Sequence, residues 1–414
     1  MSWGSFVSSP SAGKYIIGHT DLDGIARTAA VLVSVPEWRD AKVLIRYSRT
    51  RPSTIPNTLA QFLEEAEMII PPDSIVLFID IPVDVRNPEA YIKALDKFAA
   101  SRRVIWTDHH ETDAPFLRRL NENAIALWFG PSAYEYTLAL VQWLGGNPND
   151  PKIQFFAKLS GIGDRDPTIP RRFANELQDL LPIADGLDVL IREQSAGGEA
   201  EYEDFVRQLA FNTSTVIANA RARANEIPVP TRYEIIGRTV LVTEELPTAW
   251  GPKSLERVAF RTRSLYAIGV SRDPRTNTYL VRAITYWITL ATTSATEIGN
   301  TEAFRRLVAE INQRPYGPPA APVVPGFTTF ESALAFARRL AEELGREHYV
   351  PKTVRLINDS RVAEALSQDF SMILQRLTEI LEEQRKMYQK YLELKEEQVR
   401  LLRETTDEER RRYD

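Results

Sequence analysis

The chain of 414 residues is 43% hydrophobic and 26% charged, with a formal net charge of -5, a profile that fits a soluble globular protein of two or three domains. It contains no cysteine, which excludes disulfides and thiolate metal ligands, so any metal must sit on His, Asp or Glu. The small net charge excludes a globally basic nucleic-acid binder and leaves only local patches. No apolar run reaches the roughly 18 residues of a membrane span. Residues 1–13 carry no basic segment followed by an apolar core, so a cytoplasmic location without membrane contact is expected.

In chain order, residues 14–18 form a short apolar run that reads as a strand. A helix over 25–35 follows Gly18-His19-Thr20-Asp21-Leu22-Asp23-Gly24. Residues 42–46 read as a second strand, 59–68 as a helix, and 74–79 as a third strand whose continuous apolar character predicts burial on both faces. Residues 88–99 read as a helix with Pro at its first turn, and 103–106 as a fourth strand. Such alternation predicts a doubly wound parallel sheet, in which ligands gather at the carboxyl ends of the strands. His19 and Asp21 follow the first strand, Asp80 the third, and Asp108 and His109 the fourth.

From 132 to 192 the pattern turns helical, with helices over 132–144 and 151–160 and Asp164 after the second. Residues 201–226 read as one long amphipathic helix, a connector. Strand signals return at 232–242, 265–271 and 278–285. Helices over 302–313 and 331–344 follow, separated by a Pro-rich bridge over 314–326. In the tail, Phe370, Ile373, Leu377, Ile380, Gln384, Met387, Tyr391, Leu394, Gln398 and Leu401 step alternately by threes and fours, a heptad seam with Gln384 and Gln398 as polar interruptions. This predicts a coiled coil or helical hairpin for homo-oligomerisation or a protein partner; a helix folded back on its own domain is the alternative. The expected organisation is a catalytic α/β domain over 1–195, a helical connector over 196–228, a smaller α/β domain over 229–356 and a coiled-coil-like tail over 357–414.

Three of the four histidines fall inside two acidic motifs, the first at 18–24 and the second Trp106-Thr107-Asp108-His109-His110. Singly, the features have bland explanations: Asp21 or Asp23 as a helix cap, Asp80 as a loop cap, His109-His110 as a chance doublet. Jointly that account fails, because three strand ends would each need a cap acid and two would also carry imidazole. Carboxylates with imidazoles at several strand ends are what a hard or borderline divalent cation requires.

His-x-Asp-x-Asp-Gly, an isolated Asp80 after an apolar strand, Asp108-His109-His110, and Gly161-Ile162-Gly163-Asp164 resemble, in order, the four motifs of the DHH phosphoesterase superfamily, over residues 14 to about 170. The Asp21-Leu22-Asp23-Gly24 step and the Gly-Ile-Gly-Asp form look most like archaeal RecJ-like nucleases. The resemblance implies two Mn²⁺ ions, with Mg²⁺ as substitute. His19 and Asp21 would hold one metal and Asp23 the other. Asp80 would bridge both, and His109 and Asp164 would complete the second. His110 would face the scissile phosphate, and Asp108 would orient its neighbours.

The Gly-Gly-His substrate motif of many such proteins is missing: Gly145-Gly146 precedes Asn147, Gly197-Gly198 precedes Glu199, and His348 lies between Glu347 and Tyr349. Arg46, Arg49 and Arg51 follow the second strand. Arg257, Arg261, Arg263, Arg272, Arg275 and Arg282 are expected on the strands of the second domain beside Tyr266, Tyr279, Tyr286 and Trp287. Arg46, Arg49, Arg272, Arg275 and Arg282 are the candidate substrate contacts, since arginine with aromatics suits single-strand binding; a solvated face over core aromatics is the equal alternative. The function expected is a two-metal phosphodiesterase, foremost a RecJ-like exonuclease on single-stranded DNA or RNA. The alternatives are a phosphodiesterase for short oligonucleotides or cyclic dinucleotides, and a DHH-fold scaffold in a replication or repair complex.

Overall fold

Short runs rich in Ile, Val and Phe pair side by side to make the first sheet. In the computed structural model, which describes residues 13–47, 59–81, 88–110, 124–197, 199–247, 250–291 and 295–346, the first segment alternates strand and helix. Its elements are β1 (Lys14–His19), α1 (Leu22–Ser34), β2 (Lys42–Tyr47), α2 (Leu59–Ile69), β3 (Ile75–Ile79), α3 (Pro88–Ala99), β4 (Arg103–Asp108) and β5 (Ala124–Trp128). The heptad seam of the tail, Arg49, Arg51 and His348 lie outside the described residues.

The strand order is β2-β1-β3-β4-β5, and every pair is parallel. All of β3 is buried: Ile75, Leu77 and Ile79 enter one core, Val76 and Phe78 the other. That two-faced burial is why the run shows no polar alternation. The chain leaves β1 toward β2 on one side and returns to β3 on the other, so the winding reverses between β1 and β3. In sheets of this kind ligands bind outside the carboxyl ends of the strands at such a reversal. The fifth strand was not expected. It is a half-exposed edge built partly of Ala, a weak strand former, and its order comes from pairing with β4.

Next come α4 (Ala133–Trp143), α5 (Pro151–Gly163), α6 (Thr168–Arg172), α7 (Leu177–Gly197), α8 (Glu199–Phe211) and α9 (Thr213–Ala224). Ser132 caps α4 and Asp150 caps α5, whose first residue is Pro151. The helix expected over 201–226 is two helices, interrupted at Asn212, whose φ of -117° and ψ of 40° leave the helical region. The break lets α9 pack against α7 so closely that a Cβ on Gly186 would stand 1.7 Å from the Ala220 carbonyl oxygen. Amphipathic periodicity carries no sign of that contact.

The second sheet contains β6 (Tyr233–Ile236), β7 (Thr239–Leu246), β8 (Tyr266–Arg272), β9 (Tyr279–Thr285) and β10 (Val323–Phe327), in the order β10-β9-β8-β7-β6. Only β7 and β8 pair in parallel, joined by α10 (Gly251–Thr262). The strand expected over 232–242 is a hairpin, turning at Gly237 with φ 61°. Arg257 and Arg261 lie on α10 and Arg263 is its left-handed C-cap, not on strands as expected, because the parallel β7–β8 step needs a crossover helix. The Pro-rich bridge contributes β10. The remaining helices are α11 (Trp287–Ala291), α12 (Glu302–Glu310) and α13 (Phe330–Arg346). Val240, Leu246, Leu255, Tyr286 and Trp287 belong to the same apolar core as α1, α5 and α7. No helix among the described residues is long and apolar enough to cross a membrane.

Candidate metal centre

Three strand ends and one helix end meet at the carboxyl edge of the first sheet. His19 ends β1, Asp80 follows β3, Asp108 ends β4, and Asp164 is the C-cap of α5. Asp21 caps α1, its carboxylate accepting from the Gly24 N–H at 3.3 Å, so the bland reading of that residue is true as well. Asp80 has φ 60°, a left-handed conformation that Asp tolerates better than most residues, and such strain is held where a site needs it. Gly163 allows the end of α5 to touch the start of α1: a Cβ there would lie 2.8 Å from the Asp23 amide nitrogen.

Every metal ligand expected from the sequence arrives here. His19, Asp21, Asp23 and Asp80 form one set. Asp80, Asp108, His109 and His110 form a second, and Asp23, His109 and Asp164 a third; within each set the ligand atoms lie within 4.8 Å of one another. His19 Nδ1 pairs with Asp21. His109 places Nε2 3.2 Å from Asp80 Oδ1 and Nδ1 3.9 Å from Asp164 Oδ2. Asp108, wholly buried, accepts from the His109 backbone N–H at 2.8 Å and lies 2.9 Å from His110 Nδ1. Oxygen donors mixed with imidazole fit Mn²⁺ or Mg²⁺, and Asp80 belongs to two of the three sets, though not to the one with Asp164.

The charges are crowded. Burial pushes the Asp23 carboxyl well above the usual range, and its neighbours Asp21 and Asp80 add to the shift. Burial likewise raises Asp164. Burial opposes the charge on Asp80 too, but the Arg27 guanidinium and His109 hold its carboxyl well below the usual range. His19, although buried, is raised by Asp21 beside it. Acids this close favour a bound cation.

Sequence reasoning missed three supports. Arg27 on α1 lies beside Asp23 and Asp80; its only sign is a lone Arg within an apolar helix. Tyr136 on α4 packs against His109, ring centroids 5.5 Å apart. Tyr202 on α8 donates its hydroxyl to the His19 carbonyl at 3.2 Å. Asp166 anchors the fourth motif, accepting from Ser132 Oγ at 2.5 Å and from the Tyr134 and Thr168 amides.

Of the candidate substrate residues, Arg46 is next to last on β2. Arg272 lies over the Tyr279 ring, 5.9 Å to its centroid, Arg275 sits in the β8–β9 turn, and Arg282 Nε donates to Ser271 Oγ at 2.7 Å. These contacts fall within the second sheet. A cavity of about 370 Å³ is lined by Gly163 and Arg165, the chain neighbours of Asp164, by Arg221, Arg261, Phe260 and Trp287, and by the acids Asp185, Asp188 and Glu256, among others. Arg165 is paired with Glu256 at 2.6 Å, while Arg221 and Arg261 have no ion pair among the described residues. The sequence had not connected α9 to this cavity.

No family model and no curated protein matches the chain. Solved structures similar to it include a pGpG-specific phosphodiesterase from Vibrio cholerae, 12% identical, TM-score 0.46, covering 80% of this chain and 98% of the other. They include the DHH domain of a member of the s1p family of ribosomal proteins, 13% identical, TM-score 0.48, covering 81% and 87%. A third is an exonuclease RecJ bound to manganese, 15% identical, TM-score 0.42, covering 82% and 91%. These similar structures include a DHH domain, and the likeness is one of fold.

Proposed function

We propose that the chain is a metal-dependent phosphodiesterase of DHH type, a RecJ-like exonuclease on single-stranded DNA or RNA, with Mn²⁺ as its metal and Mg²⁺ as substitute. The observation that carries this reading is the convergence of His19, Asp21, Asp23, Asp80, Asp108, His109, His110 and Asp164 on one edge of the first sheet, in sets suited to two cations. Bound there, divalent ions would polarise the phosphate and lower the pKa of the attacking water. His110, with its side chain 42% exposed, is the imidazole able to meet a phosphate oxygen; Asp108 at its Nδ1 keeps the ring in place. Arg221, Arg261 and the aromatics of the cavity that Gly163 and Arg165 also line suit a phosphate and a base. In the division proposed above, with boundaries at 195, 228 and 356, all four motifs fall in the first segment, and the tail serves assembly or a protein partner.

The size of the cavity favours one second reading, a phosphodiesterase for short oligonucleotides or cyclic dinucleotides. Labelled DNA and RNA strands and labelled linear and cyclic dinucleotides, each incubated with Mn²⁺ and resolved on a gel, separate the two. A shortening ladder on the strands supports the exonuclease. Cleavage of a dinucleotide alone supports the second reading, and hydrolysis of neither overturns both and leaves the scaffold.

A further inference from the structure

Asp23 and Asp80, two of the expected metal ligands, already face a cation that belongs to the chain. Arg27 lies one helical turn after Asp23 on α1 and is 0% exposed. Its Nη1 stands 2.7 Å from Asp80 Oδ1 and its Nη2 3.2 Å from Asp23 Oδ2. Its Cζ lies 4.3 Å from the centroid of the Tyr136 ring, and that ring also stacks with His109. Asp80 Oδ1 is in addition the oxygen next to His109 Nε2, at 3.2 Å. The Asp80 oxygen that lies beside His109, a member of the Asp23–His109–Asp164 set, is therefore the one that faces the guanidinium.

A guanidinium keeps its charge at any pH at which the chain is folded. Arg27 cannot move into water without abandoning two buried carboxylates and an aromatic face, and a buried charge stripped of its partners is strongly unfavourable. Asp23 cannot serve Arg27 and a divalent ion equally well, because two cations a few ångströms apart in a dry site repel each other. Among the described residues Arg27 pairs with Asp23 and Asp80, whereas Asp21, in the same ligand set, pairs with His19.

We propose that Arg27 is a built-in cation of this centre, taking the place of one of the two divalent ions that its ligand sets suit. The chain then loads a single exchangeable ion, held on the His19–Asp21–Asp80 side. This rests on the metal-dependent reading above for the remaining ion. The same charge holds the acidic cluster together before any ion arrives.

Equilibrium dialysis of the full chain against Mn²⁺, with metal analysis and low-temperature EPR of the retained ion, reads the count without reference to activity. The expected result is one Mn²⁺ per chain with the six-line spectrum of an isolated ion. Arg27→Ser, which removes the cation and leaves a small polar side chain, should raise the count to two and give a spin-coupled spectrum, whereas Arg27→Lys, which keeps the charge, should stay at one. Two coupled ions in the unaltered chain, or one ion in folded Arg27→Ser, overturns the inference and leaves the metal-dependent reading intact. No bound ion at all overturns that reading as well. If Arg27→Ser does not fold, the count in the unaltered chain decides.

Discussion

The hydroxyls of Thr107 and Tyr136 lie 2.6 Å apart beneath the metal centre. Thr107 donates its one proton to the Phe78 carbonyl at 2.7 Å, so Tyr136 is the donor to Thr107. The bond ties α4 to β4 and fixes the ring that carries Arg27 and stacks with His109. Tyr136→Phe should therefore lower unfolding stability by about 1 kcal/mol, the worth of one buried hydrogen bond. Urea denaturation checks this, and an unchanged midpoint contradicts the role given to the hydroxyl.

Asp80 carries more. Asp80→Ala removes the shared carboxylate and leaves Arg27 without its nearest partner, so hydrolysis should vanish and stability fall by about 3–5 kcal/mol. Asp80→Asn keeps a residue that tolerates the positive φ at this position. It should stay folded while single-turnover hydrolysis drops by more than about 100-fold. Retention of most of the activity in either variant refutes the shared-ligand role.

Chelation separates metal from fold. EDTA should abolish hydrolysis, Mn²⁺ or Mg²⁺ should restore it, and Zn²⁺ should be a poor replacement. Full activity in chelator removes the metal-dependent reading.

Glu256 gives a pH signature away from the metal ligands. Burial opposes its charge, but Arg165 and Lys253 hold its carboxyl below the usual value of 4.5. The folded state therefore binds fewer protons at this site than the unfolded chain does. Its contribution is complete above about pH 4.5 and is lost as pH falls through the depressed folded value. Glu256→Gln should lose about 1–2 kcal/mol at pH 7 and less below pH 4. Thermal melts across that range test the sign; an equal loss at both pH values denies the linkage.

The role in assembly proposed for the tail is tested by truncation. Its apolar seam is too large to stay uncovered on a lone helix in water. Deleting 360–414 should lower the oligomeric state in light scattering, or break a partner complex, while hydrolysis of a short strand survives. A truncated chain with the same oligomeric state and the same partners makes the tail an internal brace.

The edge on which the candidate site residues gather was legible in the sequence, for a simple reason. Parallel strands joined by helices put all their carboxyl ends on one side, so an acid or imidazole after β1, β3 and β4 had to converge whatever the helix details. His19, Asp80 and Asp108 needed only that rule. Local patterning was silent wherever the deciding contact lay far along the chain. The break at Asn212 answers to the approach of Ala220 to Gly186, and the fifth strand answers to pairing with β4.

Arg27 marks that boundary most clearly. From the sequence alone it stands one turn from Asp23, an arrangement met on any solvated helix face. Only the folded chain brings Asp80 from the end of β3 and Tyr136 from α4 around it, and burial then turns an ordinary helix pair into a fixed charge inside the site. The sequence determined which acids and imidazoles meet and on which edge. Tertiary packing decided that a cation of the chain's own stands among them, because burial against residues distant in the chain is written in no local spacing.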